Sequence, residues 1–299
     1  MRGRVGRALG TAIALCAVAV APSSAHAYCR ASVDTPPTGP CVEFEDSPLL
    51  QWPRGCMTFR FHDSMFTDLG PVDEDDVRFI FEESFLRWED VDCGFVPFVV
   101  QFDEGVASSR EVEFLFDEPN ESVIVAMTPK QWADAEQSAA AFAITFLWHD
   151  TATGELFDVD MGLNLGQGPF GKCGDMPCDN GMVDLQNTIT HEAGHVLGLG
   201  HSSVANATMV ISATPGDIFM RDLEPDDEEG LCALELLSHD CADGSLDCIC
   251  PAPPIVQRRP GGGGGGAGLC SIAPAHSATP LPAYALLVGL LSCLRRRRR

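Results

Sequence analysis

The chain has 299 residues, 45% hydrophobic and 21% charged, an ordinary globular balance with core material for one or two domains. Its formal net charge is −24, and all 43 acidic residues lie between 28 and 260, whereas Arg2, Arg4, Arg7 and Arg295 to Arg299 lie outside that body. So acidic a body repels nucleic acid and anionic lipid, which excludes a nucleic-acid partner and reads first as a solvated exterior.

Residues 1–27 join the three N-terminal arginines to an apolar run and then Ala25-His26-Ala27, the small-residue pattern of a secretory cleavage site. The run is about 14 residues, too short for a span of roughly 20, so the segment reads as a signal peptide and the mature chain is expected to begin at Tyr28. Of the 13 cysteines, ten lie in the mature body: Cys29, Cys41, Cys56, Cys93, Cys173, Cys178, Cys232, Cys241, Cys248 and Cys250. An even number in an exported chain reads as disulfides. Spacing leaves the connectivity open, with Cys173–Cys178 and Cys56–Cys93 as candidate pairs.

Residues 28–55 carry a Pro-rich stretch and no periodicity, and read as a loop pinned by Cys29 and Cys41. Residues 57–62 alternate as a half-buried strand, with His62 packed or at the surface. From 73 to 88, Val77, Ile80, Phe81, Phe85 and Trp88 recur at three and four behind Asp73 to Asp76, which predicts an amphipathic helix with an aromatic core stripe. Further strands are expected at 96–102, 111–116, 141–148 and 156–163, and 131–138 as a short helix or ordered loop. Asp158 and Asp160 project away from the face that Val159 buries; calcium there is possible, but two carboxylates are too few to assign it.

After a Gly-rich loop at 166–183, Asp184 is a fitting N-cap for a helix that carries the most informative stretch of the chain. Residues 191–201 read H-E-x-x-H-x-x-G-x-x-H. Positions four apart share a helix face, so His191 and His195 can present two imidazoles to one metal ion, with Glu192 beside them. Gly198 can end the helix in the left-handed conformation and turn the chain so that His201 returns as third ligand. Three neutral imidazoles and an open fourth position predict a catalytic zinc site, with water at that position and hydrolysis as the chemistry. Beyond it come Ser202, Ala207-Thr208-Met209, and a helix starting at Pro225 with acids in its first turn.

These residues resemble the metzincin zinc proteases, and among them the matrixins: the three-histidine motif, Ser202 directly after it, Met209 in an A-x-M turn, and Leu223, Asp226, Asp227 and Gly230-Leu231 in the terminal helix. The resemblance covers about 56–237 and implies an α+β fold. Its parts would be a twisted five-stranded mixed sheet, mostly parallel with one antiparallel edge strand, an active-site helix, and a small C-terminal subdomain. It also implies that Met209 forms a turn beneath the zinc and that 141–148 is the edge strand that pairs with an extended peptide. Matrixins usually carry Pro-x-Tyr after that methionine, where this chain has Val210-Ile211-Ser212-Ala213, so substrate preference does not carry over. His149 stands alone, without the partners a second zinc would need, and Cys56 after Pro53-Arg54-Gly55 is not a cysteine-switch motif.

The expected activity is that of a zinc endopeptidase on protein or peptide substrates. Zinc lowers the pKa of its water to about 7, and Glu192 takes the proton and passes it to the leaving amine. The alternative is a non-catalytic extracellular binding or adhesion protein on the same scaffold, against which the intact Glu192 argues. A monomer is expected.

Four regions follow the signal peptide: an N-terminal segment (28–55), a catalytic domain (56–238), a Cys/Pro- and Gly-rich linker (239–268) and a tail (269–299). The tail holds Cys270, an apolar run at 281–294 and Arg295 to Arg299, and resembles the C-terminal sorting tails of myxobacterial exported proteins. It is expected to contact the membrane, arginines on the cytoplasmic side, before being cut near Cys270, which leaves the enzyme outside the cell or at its surface.

Overall fold

The computed structural model describes residues 27–34, 46–94, 98–103, 105, 107–178, 181–234, 236, 250–257, 266–270 and 273–274. Almost all of the leader, Cys41, Cys241, Cys248 and the apolar and arginine-rich end of the tail therefore lie outside the described residues.

Alternation in Cys56–Phe61 (β1) buries Met57, Phe59 and Phe61. Helix Glu74–Glu89 (α1) starts where the Asp73 side chain accepts the Asp76 N–H, with Glu74, Asp75 and Asp76 placed to suit the helix dipole. Then follow Val99–Phe102 (β2), Ser122–Met127 (β3), Ala143–His149 (β4), Leu156–Asn164 (β5), helix Leu185–Leu197 (α2), helix Pro225–Cys232 (α3) and Gly266–Cys270 (β6). The short helix Pro129–Asp134 has a capping box between Thr128 and Gln131.

The sheet order is β2-β1-β3-β5-β4-β6. β2, β1, β3 and β5 run parallel, β4 is antiparallel to β5, and β6 is antiparallel to β4. The five strands from β1 to β5 form the mixed sheet of an α+β domain, and β6 adds to its β4 border.

The α1 stripe of Val77, Ile80, Phe81, Phe85 and Trp88 packs with Ile189, Ala193 and Val196 of α2 on one sheet face. Two indoles grip the second helix. Trp88 Nε1 donates to the Thr190 carbonyl at 2.9 Å, and Trp52 Nε1 to the Val196 carbonyl at 2.8 Å. Val196 is among the last four helical carbonyls, which have no acceptor role within the helix, so Trp52 supplies a donor that the ladder cannot.

The third strand is not at 111–116, which is irregular, but at Ser122–Met127. All six residues of β3 are buried because parallel neighbours flank it and both faces are covered, so it shows no alternation for periodicity to detect. The alternation at 111–116 has another cause: the Phe114 ring stacks on Trp148 and Phe157, covering the second sheet face. Residues 28–55 are also more than a loop, since Cys29–Arg30 pairs antiparallel with Leu199–Gly200.

Cys173 pairs with Cys178, Cys56 with Cys250, and Cys93 with Cys232. A Cys56–Cys93 bond is thus not formed: each partner comes from far along the chain, at separations of 194 and 139 residues, which local spacing cannot reveal. Among the described residues no helix is long and apolar enough to cross a membrane.

Asp158 and Asp160 lie on the second face and are fully buried there. Asp158 Oδ1 accepts from Ser122 Oγ at 2.5 Å and from its neighbour's amide, Val159 N, at 2.9 Å. Asp160 accepts Val123 N at 2.9 Å on Oδ1 and Glu113 N at 3.1 Å on Oδ2. Burial raises Asp158 to about 7, and burial together with the Asp158 charge raises Asp160 well above the carboxylate range. The folded chain therefore holds protons that the unfolded chain releases. The resulting stability is fully present below about pH 4, the unfolded aspartate value, and is lost as pH rises through about 7. Asp158→Asn should flatten the fall in urea midpoint between pH 5 and 8, an effect on the order of a few kcal/mol. Equal slopes for wild type and variant, both with saturating zinc, would rule this out.

Candidate metal centre

Asp184 caps α2, its Oδ1 accepting the Asn187 N–H at 2.8 Å. Arg221 forks the same buried carboxylate, Nε to Oδ1 at 2.8 Å and Nη2 to Oδ2 at 2.6 Å, while the Cys173 N–H reaches Oδ2 at 3.0 Å. The helix start is thereby fixed to the disulfide loop before it and to the chain after it.

Farther along α2, His191 and His195 bring their Nε2 atoms to 3.0 Å. The helix then ends at Gly198, at φ 111° and ψ 14°, whose N–H donates to the Gly194 and His195 carbonyls. That left-handed backbone strains any residue with a Cβ. It turns the chain so that the His201 ring centroid lies 5.4 Å from that of His191 and 4.9 Å from that of His195. All three imidazoles are buried, and one ligand nitrogen from each lies within 4.8 Å of the others.

The remaining ring nitrogens set the tautomers. His191 Nδ1 lies 2.7 Å from the Thr208 carbonyl and His195 Nδ1 2.8 Å from the Leu199 carbonyl. A carbonyl only accepts, so each Nδ1 carries the proton and each Nε2 presents a lone pair. Burial, with the nearby His201, lowers His191 to about 3, and burial with both neighbours lowers His195 well below the histidine range, so these rings are neutral. Two lone pairs facing each other repel unless a cation sits in front of both. Tetrahedral zinc with bonds of ~2.0–2.1 Å sets its ligand nitrogens about 3.3 Å apart, so the donor set fits that ion.

Glu192 follows His191 and is turned toward the sheet, where its Oε2 accepts from Thr145 Oγ1 of β4 at 2.7 Å. Met209 lies buried against α2. A Cβ at Gly194 would meet Met209 Sδ at 2.2 Å and Trp88 Cζ2 at 2.8 Å, so only glycine permits this approach. The turn is tied from both sides. Ser202 N donates to the Met209 carbonyl at 2.7 Å, and the buried Asp227 accepts Met209 N on Oδ1 at 3.0 Å and Thr208 N on Oδ2 at 2.7 Å. Since Thr208 in turn holds His191 Nδ1, Asp227 acts on a metal-facing ring through one residue.

The structure thus brings together His191, Glu192, His195, Gly198, His201 and Met209. His62 pairs with Ser64, and the His149 ring lies against the Leu147 carbonyl, both apart from the cluster. Thr145 and Arg221 escape sequence reasoning, as does the part Asp227 plays in closing the turn. A lone hydroxyl in the apolar 141–148 run was the available signal for Thr145; Asp227 is marked by the resemblance only as one residue of the terminal helix.

A sheet border beside a helix bearing two imidazoles and a carboxylate, with a third imidazole delivered by the turn that follows, defines a metal-centre scaffold of the zinc-protease class. The family model described as Matrixin, peptidase M10, matches residues 51–235, and the chain belongs to this family of zinc metalloproteases. Two Arabidopsis thaliana proteins, metalloendoproteinase 5-MMP and metalloendoproteinase 2-MMP, are 48% identical over 50 residues and 49% over 49. The matched stretches are 17% and 16% of this chain and only 14% and 13% of those relatives.

Asp227→Asn keeps the size of the side chain but sets an amide donor against a backbone N–H. It should weaken zinc binding about tenfold, the lower end of what is lost when a ligand's hydrogen-bond partner is removed. Competition with a fluorescent chelator measures this, and an unchanged dissociation constant would show that the turn does not orient His191.

Proposed function

We propose that the chain is an exported zinc endopeptidase in which His191, His195 and His201 hold the metal and Glu192 is the general base. One observation carries the reading: Glu192 is hydrogen-bonded by Thr145 of the border strand β4 and stands beside the three buried imidazoles. When bound, zinc supplies Lewis acidity and a water acidified to a pKa of about 7. The protein supplies the rest. β4 can hydrogen-bond an extended polypeptide, which places its backbone across the site with little demand on side chains. Thr145 fixes the Glu192 carboxylate, which accepts a proton from water and returns it to the departing nitrogen. Gly198 and Met209 are the structural residues of the site, the first by turning the chain toward His201 and the second by supporting α2.

Export is supported by the leader pattern at 1–27 and by the disulfides Cys56–Cys250, Cys93–Cys232 and Cys173–Cys178, bonds that persist in oxidising compartments. Location outside the cell or at its surface follows from that reading.

Glu192→Ala should lower kcat on a peptide library by about 10²- to 10⁴-fold with the zinc content unchanged. Full residual activity at equal metal loading would refute the role of Glu192, and a wild type that binds peptides uncut would instead mark a binding protein. Thr145→Val should lower kcat roughly tenfold with KM held, by unfixing the base, and Thr145→Ser should restore it. A loss confined to KM would place Thr145 in binding alone.

A further inference from the structure

The border strand β4 is paired by the chain's own C-terminal segment. In β6, Gly266 stands opposite His149, Ala267 opposite Trp148, Gly268 opposite Leu147, Leu269 opposite Phe146 and Cys270 opposite Thr145, all antiparallel. A little farther on, Ala273 and Pro274 pair in parallel with Ser212 and Ala213, which follow Met209. The two described stretches thus pair with β4, antiparallel, and with the residues soon after Met209, parallel. Cys270 is aligned with Thr145, the residue that holds Glu192 Oε2 at 2.7 Å.

The root of this segment is fixed. Cys250 is bonded to Cys56 at the start of β1, Arg54 Nη1 donates to the Pro251 and Ala252 carbonyls at 3.0 and 2.8 Å, and the Val256 carbonyl accepts Asp117 N at 2.9 Å. From β1 to β6 is four strand spacings, about 19 Å, and the chain between Val256 and Gly266 can span roughly 33 Å when extended. A segment within such reach on the same chain is presented at an effective concentration in the mM range.

We propose that residues 266–274 are the enzyme's own substrate: the tail docks in the peptide groove in cis, excludes other peptides, and is hydrolysed at one of the bonds joining Cys270 to Ala273. This rests on the peptidase reading and names a substrate for it. Pairing with a border strand is made through main-chain groups, so the Gly-rich character of 266–270 is no obstacle to docking. The reaction is hydrolysis: water oxygen bonds to the carbonyl carbon as the C–N bond breaks. Both water protons end on the departing amine, one of them by way of Glu192, and the upstream residue is left as a carboxylate.

The test uses the full exported chain in three forms: wild type, Glu192→Ala, and Glu192→Ala with Gly268→Pro and Leu269→Pro, which removes adjacent amides and so at least one ladder bond. In Glu192→Ala the amides of 143–149 should exchange slowly, and the prolines should speed them at least tenfold with the thermal midpoint unchanged. Mass spectrometry of wild type should find a new C-terminus between 270 and 272, formed at a rate independent of protein concentration over a hundredfold range, and Glu192→Ala should stay intact. Unchanged exchange in the proline variant, a cut elsewhere, or a rate rising with concentration overturns the inference. So does an intact tail on a wild type that cleaves a peptide library. An intact tail on a zinc-loaded wild type that leaves the library uncut overturns the peptidase reading first, and exchange at 143–149 then decides the docking by itself.

Discussion

Two imidazole nitrogens held 3.0 Å apart, both with lone pairs inward and both out of water, oppose folding in the absence of a cation. Much of the surrounding structure can be understood as what keeps them there. The Thr208 and Leu199 carbonyls take the Nδ1 protons, Trp88 and Trp52 hold the helix that carries the rings, and Asp184 with Arg221 holds its start. Each of these bonds is local and ordinary in strength, about 1 kcal/mol net for a neutral pair and more for a charged one. Together they hold the helix face and the turn that carry the rings.

That dependence reaches into the parts of the fold that look remote from the site. Asp227 begins in α3, closes the turn at Thr208 and Met209, and thereby acts on His191. The Cys93–Cys232 bond ties the end of α3 to the region after α1, whose Trp88 grips α2. Helix α3 is in this sense a brace for the metal centre.

What could be read in the sequence was what is local. The spacing of His191, Glu192, His195, Gly198 and His201 fits within one helix and one turn, and the α1 stripe repeats every three or four residues, so both were legible. β3 was not, because a strand buried on both faces has no alternation, while the aromatic alternation of 111–116 serves packing on the sheet. Thr145 and Asp227 act across separations of 47 and 18 or 19 residues, and nothing in their neighbours marks that reach. The pairing of Gly266–Cys270 with β4 was equally hidden, since a glycine-rich segment shows no periodicity while its main chain can still complete a ladder.

The pairing of Cys29–Arg30 with Leu199–Gly200, reinforced by Ala31 N to the Gly198 carbonyl at 2.8 Å, joins residues 29–31 to the turn that delivers His201. This gives the metal centre a place in time. Residues 199 and 200 are made long after residues 29 and 30, so this pairing, and with it the bracing of the turn to His201, waits until the chain has grown to residue 200.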